Sequence, residues 1–311
     1  MIPSRRSSER SHPDTRDTVN TLDTVNALSA AGTRPDSVRR SRGRRRVAAT
    51  VGAAALAAGL SVGLASNALA TPPGPAVVTP DLNTGVSPGG NFNLSVWELQ
   101  LPTGSAGDPT TILPSQLEGA GGFHDSYFYT NTTDGGMEFW DPENGVTTPN
   151  SSYSRSELRE MTSSGAAANW FAAGTTNKLT ARVRVIQVPN HVCVGQIHLG
   201  SGGSTKPLLE LFYYSNGNIE MAIEQTPAGG NEIQYLVGNV ALGTTWGYTI
   251  GLSGSTISLV INSGATKTWT ASSTFNGYGM YFKAGDYDQS SGSSSTVGAK
   301  VEFYQLSVSH S

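Results

Sequence analysis

Hydrophobic and polar residues alternate with a period of two along most of the chain from Lys178 to the C-terminus. The alternation runs through 179–188 and 208–214, and an Asn-Gly turn signal then leads into 218–224. Shorter segments of the same kind follow, at 234–237, 247–251, 257–261, 267–270 and 300–308. Because successive side chains of a strand point to opposite faces, this pattern predicts β-strands with one buried face.

Short breaks rich in Gly, Ser and Asn separate these segments, as at 262–264 and 290–295. No long segment has a helical period, and the best helix candidate, 114–118, is only five residues long. Many short strands with turns between them are typical of a two-sheet antiparallel β-sandwich. We therefore predict an all-β fold of the jelly-roll type.

The charged residues divide the chain into two parts of opposite sign. Residues 1–70 hold eleven arginines and five acids, whereas residues 71–311 hold nine basic and eighteen acidic residues. In the first part, three arginines at 44–46 precede an apolar, alanine-rich run that ends near Ala68-Leu-Ala70. This order is typical of a secretory signal. We therefore expect cleavage after Ala70 and secretion by the Sec or the twin-arginine route.

Composition then divides the chain into a leader, a linker and one domain. Residues 1–40 lack an apolar period and, with the signal, form an extended leader over 1–70. Residues 71–90 are rich in proline and glycine and predict a linker. Residues 91–311 are enough for one all-β domain. The only cysteine, Cys193, excludes an intramolecular disulfide and is predicted to be a small buried apolar side chain.

The segment 281–289 concentrates two phenols, one ammonium group and one amide. Tyr281 and Lys283 share one face of a strand, and Tyr287 and Gln289 follow. Because a phenol beside a cation ionises more readily, Tyr287 is a candidate acid or base. Taken alone, the segment is explained equally well as an aromatic strand that closes a sandwich.

Two further stretches place polar side chains on one face of a strand. In Arg155-Ser-Glu-Leu-Arg159, alternation brings Arg155, Glu157 and Arg159 together over about 14 Å. In Gln196-Ile-His198, Gln196 and His198 share a face and the isoleucine turns into the core. Separately, these stretches fit a solvated charge ladder and a structural histidine. Together with 281–289 they predict a small positive site on a negative domain.

The three stretches resemble the three motifs of alginate lyases of polysaccharide lyase family 7, in the family's order. The segment 92–104 is similar to the start of the family's catalytic domain, and the resemblance covers about residues 88–309. It implies a β-jelly-roll with an open concave cleft. It also implies endolytic cleavage of a uronate polymer by β-elimination, which yields unsaturated oligosaccharides.

The resemblance also implies a role for each motif residue. Arg159 and Gln196 would neutralise the carboxylate next to C5, and His198 would assist them or act as base. Tyr287 would donate a proton to the leaving glycosidic oxygen, and is the alternative base. The residues that would hold the substrate are Arg155, Glu157, Tyr281, Lys283 and Gln289. We expect no metal or cofactor.

Two features refine the expectation. In this family a Gln-Ile-His motif accompanies acceptance of guluronate, and Gln-Val-His accompanies a preference for mannuronate, so Ile197 implies activity on polyguluronate or mixed blocks. Asp286 and Asp288, which flank Tyr287, depart from the pattern, because acids there would repel a polyanion. Alternation would turn both away from the phenol, although Gly285 leaves the local geometry open.

Two other classes of function remain open from the sequence. A glycan hydrolase would need two carboxylates across the scissile bond, and alternation places Glu157 and Glu160 on opposite faces. A non-catalytic module that binds acidic polysaccharides would keep the aromatic face without needing a His–Tyr pair. The partner we expect is the alginate (polyuronate) substrate. We expect no nucleic acid, no membrane association after removal of the signal, and a monomer.

Overall fold

The computed structural model describes residues 81–311, which form two packed antiparallel β-sheets. The predicted leader and signal, and residues 71–80 of the predicted linker, lie outside the described residues. The strands begin with β1 (Trp97–Ser105), β2 (Asp108–Ile112), β3 (Phe128–Thr130), β4 (Met137–Pro142), β5 (Ser156–Glu160), β6 (Thr176–Gln187), β7 (His191–Leu199) and β8 (Pro207–Tyr214). They continue with β9 (Asn218–Ile223), β10 (Ile233–Asn239), β11 (Trp246–Ser253), β12 (Thr256–Ile261), β13 (Lys267–Thr270), β14 (Met280–Asp288) and β15 (Gly298–His310).

Helical structure in the described part is limited to three short turns. They are α1 (Pro88–Asn91), α2 (Pro114–Leu117) and a 3-10 turn (Ser273–Phe275). The second coincides with the predicted helix candidate. Within residues 81–311, no helix is long and apolar enough to cross a membrane.

The eight-stranded sheet, here called the front sheet, has the order β10-β9-β8-β7-β14-β5-β1-β2. The seven-stranded back sheet has the order β13-β12-β11-β6-β15-β4-β3. Strands that are distant in sequence, such as β5, β7 and β14, are therefore neighbours in space. The antiparallel sandwich predicted from the period of two is confirmed.

The core lies between the two sheets. Strand β6, at the centre of the back sheet, explains the regular alternation of hydrophobic and polar residues. Leu179, Ala181 and Val183 are buried, and the residues between them are more exposed. From the front sheet, Ile197 and Phe282 point into the same core and are fully buried. Burial of a Val, Leu, Ile or Phe side chain contributes about 1.5–3 kcal/mol to folding. The hydrophobic residues on the inner face of each strand therefore stabilise the packing of the two sheets.

Packed structure begins before the predicted domain boundary at residue 91. The backbone N–H of Ser87 donates to the carbonyl of Ala120, and Ser87 is only 6% exposed. Gly89 lies so close to the carbonyl of Leu117 that a Cβ atom there would be 1.9 Å from its oxygen. Glycine at this position therefore permits tight packing of α1 against the rest of the domain.

Candidate active site

The three motifs lie on adjacent strands of the front sheet and in matching register. Lys283 on β14 is paired with Gln196 of β7 on one side and with Arg159 of β5 on the other. Two residues away along the same two strands, Tyr281 is paired with His198. Strand pairing thus assembles on one surface residues that lie up to 124 positions apart in the sequence.

An open cleft of about 960 Å³ covers this surface. Eight of the nine predicted site residues line it: Arg155, Arg159, Gln196, His198, Tyr281, Lys283, Tyr287 and Gln289. Gln196 and Lys283 form the floor and are 1% and 5% exposed. The cleft spans five neighbouring strands, from Glu98 on β1 to Glu210 on β8.

Glu157 is the ninth predicted residue, and it lies beneath the cleft instead of lining it. Its side chain is fully buried. Its carboxylate accepts a hydrogen bond from Nε2 of Gln196 at 2.6 Å, lies 3.4 Å from Nη1 of Arg155, and forms an ion pair with Nζ of Lys283. The predicted contact of Glu157 with sugars is therefore wrong, because solvent and substrate do not reach it. Its position instead makes it the group that holds Arg155, Gln196 and Lys283 in place.

A glycine on the next strand makes this arrangement possible. Gly285 is paired with Glu157, and its φ of 149° lies in a region that L side chains rarely adopt. A Cβ atom at Gly285 would be 2.8 Å from Cα of Glu157. The register between β14 and β7 shifts across this point, between Ala284 and Tyr287. This irregularity at Gly285 sets the position from which Tyr287 enters the cleft.

Tyr287 is held by contacts on two sides. Its ring packs under the guanidinium of Arg155, and its hydroxyl is 2.9 Å from Oγ of Ser151. Because Oγ of Ser151 donates its only proton to the carbonyl of Tyr153 at 2.8 Å, the phenol is the donor toward Ser151.

The environment of Tyr287 favours its protonated form. Burial raises the pKa of the phenol above its ordinary value, and the opposing effect of Arg155 is smaller. The expectation that a nearby cation makes this phenol ionise readily is therefore wrong, because desolvation outweighs the charge. Tyr287 is thus suited to donate a proton.

His198 has the opposite character. Its Nδ1 lies 2.9 Å from the carbonyl oxygen of Leu199, which can only accept, so Nδ1 carries the proton and Nε2 has a free lone pair. Burial and, secondarily, Lys283 lower the pKa of His198 to about 4. The ring stacks on Tyr281, with centroids 5.1 Å apart. At neutral pH the side chain is therefore an uncharged, oriented base.

Arg159 is the guanidinium that the cleft exposes more. Its side chain is 23% exposed, compared with 10% for Arg155. Its Cζ lies 4.1 Å from the ring centroid of Tyr281, and its Nη1 is 3.6 Å from a carboxylate oxygen of Glu98. An exposed, weakly paired guanidinium of this kind can take up a carboxylate of a ligand.

The two aspartates beside Tyr287 do not face the cleft. Asp286 and Asp288 are fully buried, as alternation along β14 requires. Burial raises the pKa of both groups, and neighbouring carboxylates such as Asp141 raise that of Asp286 further. These acids therefore do not repel a polyanion in the cleft.

Cys193, predicted to be buried, is also fully inaccessible, and burial raises the pKa of its thiol.

Two parts of the cleft wall were not predicted from the sequence. The segment 150–153 carries Ser151 and Tyr153 to the phenol, and Glu210 of β8 lines the cleft beside Gln196. Glu210 could have been found, because Leu209 and Leu211 on either side of it follow the alternating pattern of a buried face. Nothing in the pattern of residues 150–153 indicates their approach. Within residues 81–311, no cluster of His, Cys, Asp and Glu is arranged to hold a metal ion.

A family model described as alginate lyase matches residues 92–310, which is most of the chain and includes every residue of the cleft named above. The chain therefore belongs to the alginate lyase family. Its structural relatives are members of polysaccharide lyase family 7, and with them it shares the β-jelly-roll fold.

Three relatives illustrate the extent of the similarity. An alginate lyase from Klebsiella pneumoniae is 27% identical over 280 residues, covering 72% of this chain and 91% of the relative. The crystal structure of alginate lyase PA1167 from Pseudomonas aeruginosa is 33% identical, with a TM-score of 0.64, and covers 70% of this chain and 99% of its own. The family 7 alginate lyase A1-II′, solved with a product GGG, is 34% identical, with a TM-score of 0.65, and covers 73% of this chain and 100% of its own.

Proposed function

We propose that this chain is an endolytic alginate lyase that cleaves polyuronate by β-elimination. The observation that carries the proposal is the pairing, in one cleft, of a neutral histidine with a free Nε2 and a buried phenol that retains its proton. A β-elimination needs one group to take a proton and another to give one. His198 and Tyr287 meet these two requirements at neutral pH.

In the proposed reaction, Nε2 of His198 takes the proton from C5, and the electrons of the C–H bond form a double bond between C4 and C5. The bond from C4 to the glycosidic oxygen breaks, and Tyr287 gives its proton to that oxygen. Charge that develops on the C5 carboxylate is stabilised by Arg159 and by the second N–H of Gln196, whose first N–H is bonded to Glu157.

The shape of the cleft supports attack within a polymer chain. Five neighbouring strands contribute lining residues, and at about 4.8 Å between strands the floor is about 19 Å wide. Such a floor accommodates several consecutive sugars. If cleavage is endolytic, the viscosity of an alginate solution falls early, before many bonds have broken.

The positions of Glu157 and Glu160, the two carboxylates considered for a glycan hydrolase, do not favour hydrolysis. Glu157 is buried under three side chains. Glu160 points to the other face, where it accepts hydrogen bonds from Nε1 of Trp170 at 2.8 Å and from the backbone N–H of Phe282 at 2.9 Å. Neither carboxylate can flank a scissile bond in the cleft.

We also propose that the enzyme accepts polyguluronate or mixed blocks. The support is the Gln-Ile-His motif, in which Ile197 is fully buried behind Gln196 and His198. An isoleucine there acts indirectly, through the position of the strand that carries both polar groups. Initial rates on purified polyguluronate and polymannuronate test this preference, and strict polymannuronate specificity would refute it.

Secretion remains a proposal that rests on the basic and apolar segments before Ala70. Expression of the full chain in a bacterial host, followed by intact mass of the protein in the medium, tests it. A mature protein that begins at Thr71 supports the proposal, and a full-length protein confined to the cells contradicts it.

The test of lyase activity itself is the ultraviolet absorbance of the unsaturated uronate formed from alginate.

A further inference from the structure

Glu210 is a cleft residue that the proposed reaction leaves without a role. It lies on β8, where Leu209 and Leu211 are buried in the core at 1% and 0% exposure. Glu210 therefore points to the opposite face, into the cleft, and its backbone is paired with that of Gln196. It lies one strand away from the group proposed to stabilise the reacting carboxylate.

The carboxyl group of Glu210 has no hydrogen-bond or ion-pair partner within residues 81–311. The nearby cations are already engaged, because Arg155 and Lys283 both interact with Glu157. A carboxyl group that faces a cleft with no protein partner is available to a ligand. In a cleft that binds a polyanion, an ionised carboxylate in this position would oppose binding.

Burial and two neighbouring carboxylates disfavour the ionised form of Glu210. The titratable groups that face it come from several elements: Arg155 and Glu157 at β5, Cys193 on β7, Glu232 before β10, and Lys283 and Tyr287 on β14. Burial, Glu232 and Glu157 together outweigh Arg155 and Lys283, and raise the pKa of Glu210 to about 8. At neutral pH the group is therefore mostly a carboxylic acid, which can donate a hydrogen bond.

We propose that Glu210 binds the substrate as a neutral carboxylic acid, donating a hydrogen bond to a uronate on the β8 side of Gln196, and that loss of its proton weakens binding at alkaline pH. This inference rests on the proposed function, because it assumes that the occupant of the cleft is a polyuronate. The contact involves binding alone, so Glu210 is a substrate-positioning residue and takes no part in the proton transfers.

The test compares the KM of the wild type with that of Glu210→Gln, which has a similar shape but no acidic proton. If binding needs the protonated acid and its pKa is about 8, the KM ratio of wild type to variant rises about tenfold from pH 7 to pH 9. Lys283 also titrates in this range and is present in both proteins, so the part of its titration that does not depend on Glu210 cancels in the ratio. A ratio that is constant from pH 7 to pH 9 would overturn the proposal.

A second variant tests the same group without altering it. Glu232 contributes to the raised pKa of Glu210, so Glu232→Gln should move the alkaline rise in KM to lower pH, and should do so only when Glu210 is present. A rise that does not move, or that moves equally in the Glu210→Gln background, contradicts the proposal. The shift measured with Glu232→Gln alone remains informative if Glu210→Gln does not fold, because a rise that does not move contradicts the proposal by itself.

The two proposals fail in distinguishable ways. Absence of unsaturated product from alginate at pH 7 would refute the proposed function. The role of Glu210 would then be tested by equilibrium binding of alginate to the wild type and to Glu210→Gln at pH 7 and pH 9. A loss of affinity at pH 9 in the wild type alone supports Glu210 as a ligand-binding acid, and equal affinity changes in both proteins refute it.

Discussion

The guanidinium of Arg155 lies over the ring of Tyr287, with its Cζ 3.9 Å from the ring centroid. The same guanidinium is held from below by Glu157, which also forms an ion pair with Lys283. The position of the phenol therefore depends on a buried carboxylate that no substrate can reach. This chain of contacts links the charge buried under the floor to the proposed proton donor in the cleft.

Tyr287→Phe removes one hydroxyl and keeps the ring that packs against Arg155. We expect the variant to fold normally and to lose turnover by at least about a hundredfold, the usual scale for a general acid. Measurement of kcat on alginate, with circular dichroism as the control for folding, checks this. A folded variant that keeps more than about a tenth of the wild-type rate would exclude Tyr287 from the proton transfers.

Glu157→Gln tests the role of the buried carboxylate. It leaves two buried cations without their counter-charge, and breaking a buried pair costs about 3–5 kcal/mol, so we expect a large fall in stability and in kcat. The matched control is Glu98→Gln, because Glu98 meets Arg159 at 3.6 Å in a partly exposed pair worth about 0–1 kcal/mol. Denaturant unfolding of both variants gives the comparison. Equal, small losses would show that Glu157 is not the group that organises the floor.

The acid limb of the pH–rate profile tests His198. The base must be neutral, and burial lowers its pKa to about 4, so kcat/KM should fall with decreasing pH only near pH 4. An ordinary histidine, with a pKa of about 6.5, would produce the fall more than two pH units higher. The measurement is kcat/KM from pH 3.5 to pH 8 at constant ionic strength. A midpoint near 6.5 would contradict the buried, neutral histidine proposed here.

Asp286→Asn tests the acids buried behind Tyr287. The pKa of Asp286 is raised in the folded protein by burial and by Asp141 and Asp288. The folded state therefore binds more protons than the unfolded state, and stability falls as the pH rises above about 4, the value of an unfolded aspartate. We expect Asp286→Asn to raise Tm more at pH 8 than at pH 5, with about 2–4 °C for each kcal/mol. Identical Tm shifts at the two pH values would show that Asp286 does not titrate in this way.

The strands in the C-terminal half could be predicted because one face of each is buried. β13 coincides with the predicted segment 267–270, and β12 differs from its prediction by one residue. Strand β4 escaped prediction because five of its six residues are buried, including Glu138 and Asp141. A strand enclosed on both faces has no alternation to detect.

The members of the site could be predicted, but not their depth or charge state. Alternation correctly places Glu157 on the face of Arg155 and Arg159, yet only the approach of β14 at Gly285 shows that Glu157 is sealed beneath the cleft. The sign of the pKa shift of Tyr287 depends on how completely it is desolvated. Both are properties of the packed sandwich and of the order of its strands, which local sequence does not specify.

The central claim, that this cleft performs a β-elimination, is tested most directly by counting two products of the same reaction. Alginate is incubated with the wild type and with Tyr287→Phe, and new reducing ends are measured together with ultraviolet absorbance of the conjugated uronate. The account predicts one unsaturated end for every new reducing end in the wild type, and almost none of either in the variant. New reducing ends without matching absorbance would show hydrolysis and contradict the account.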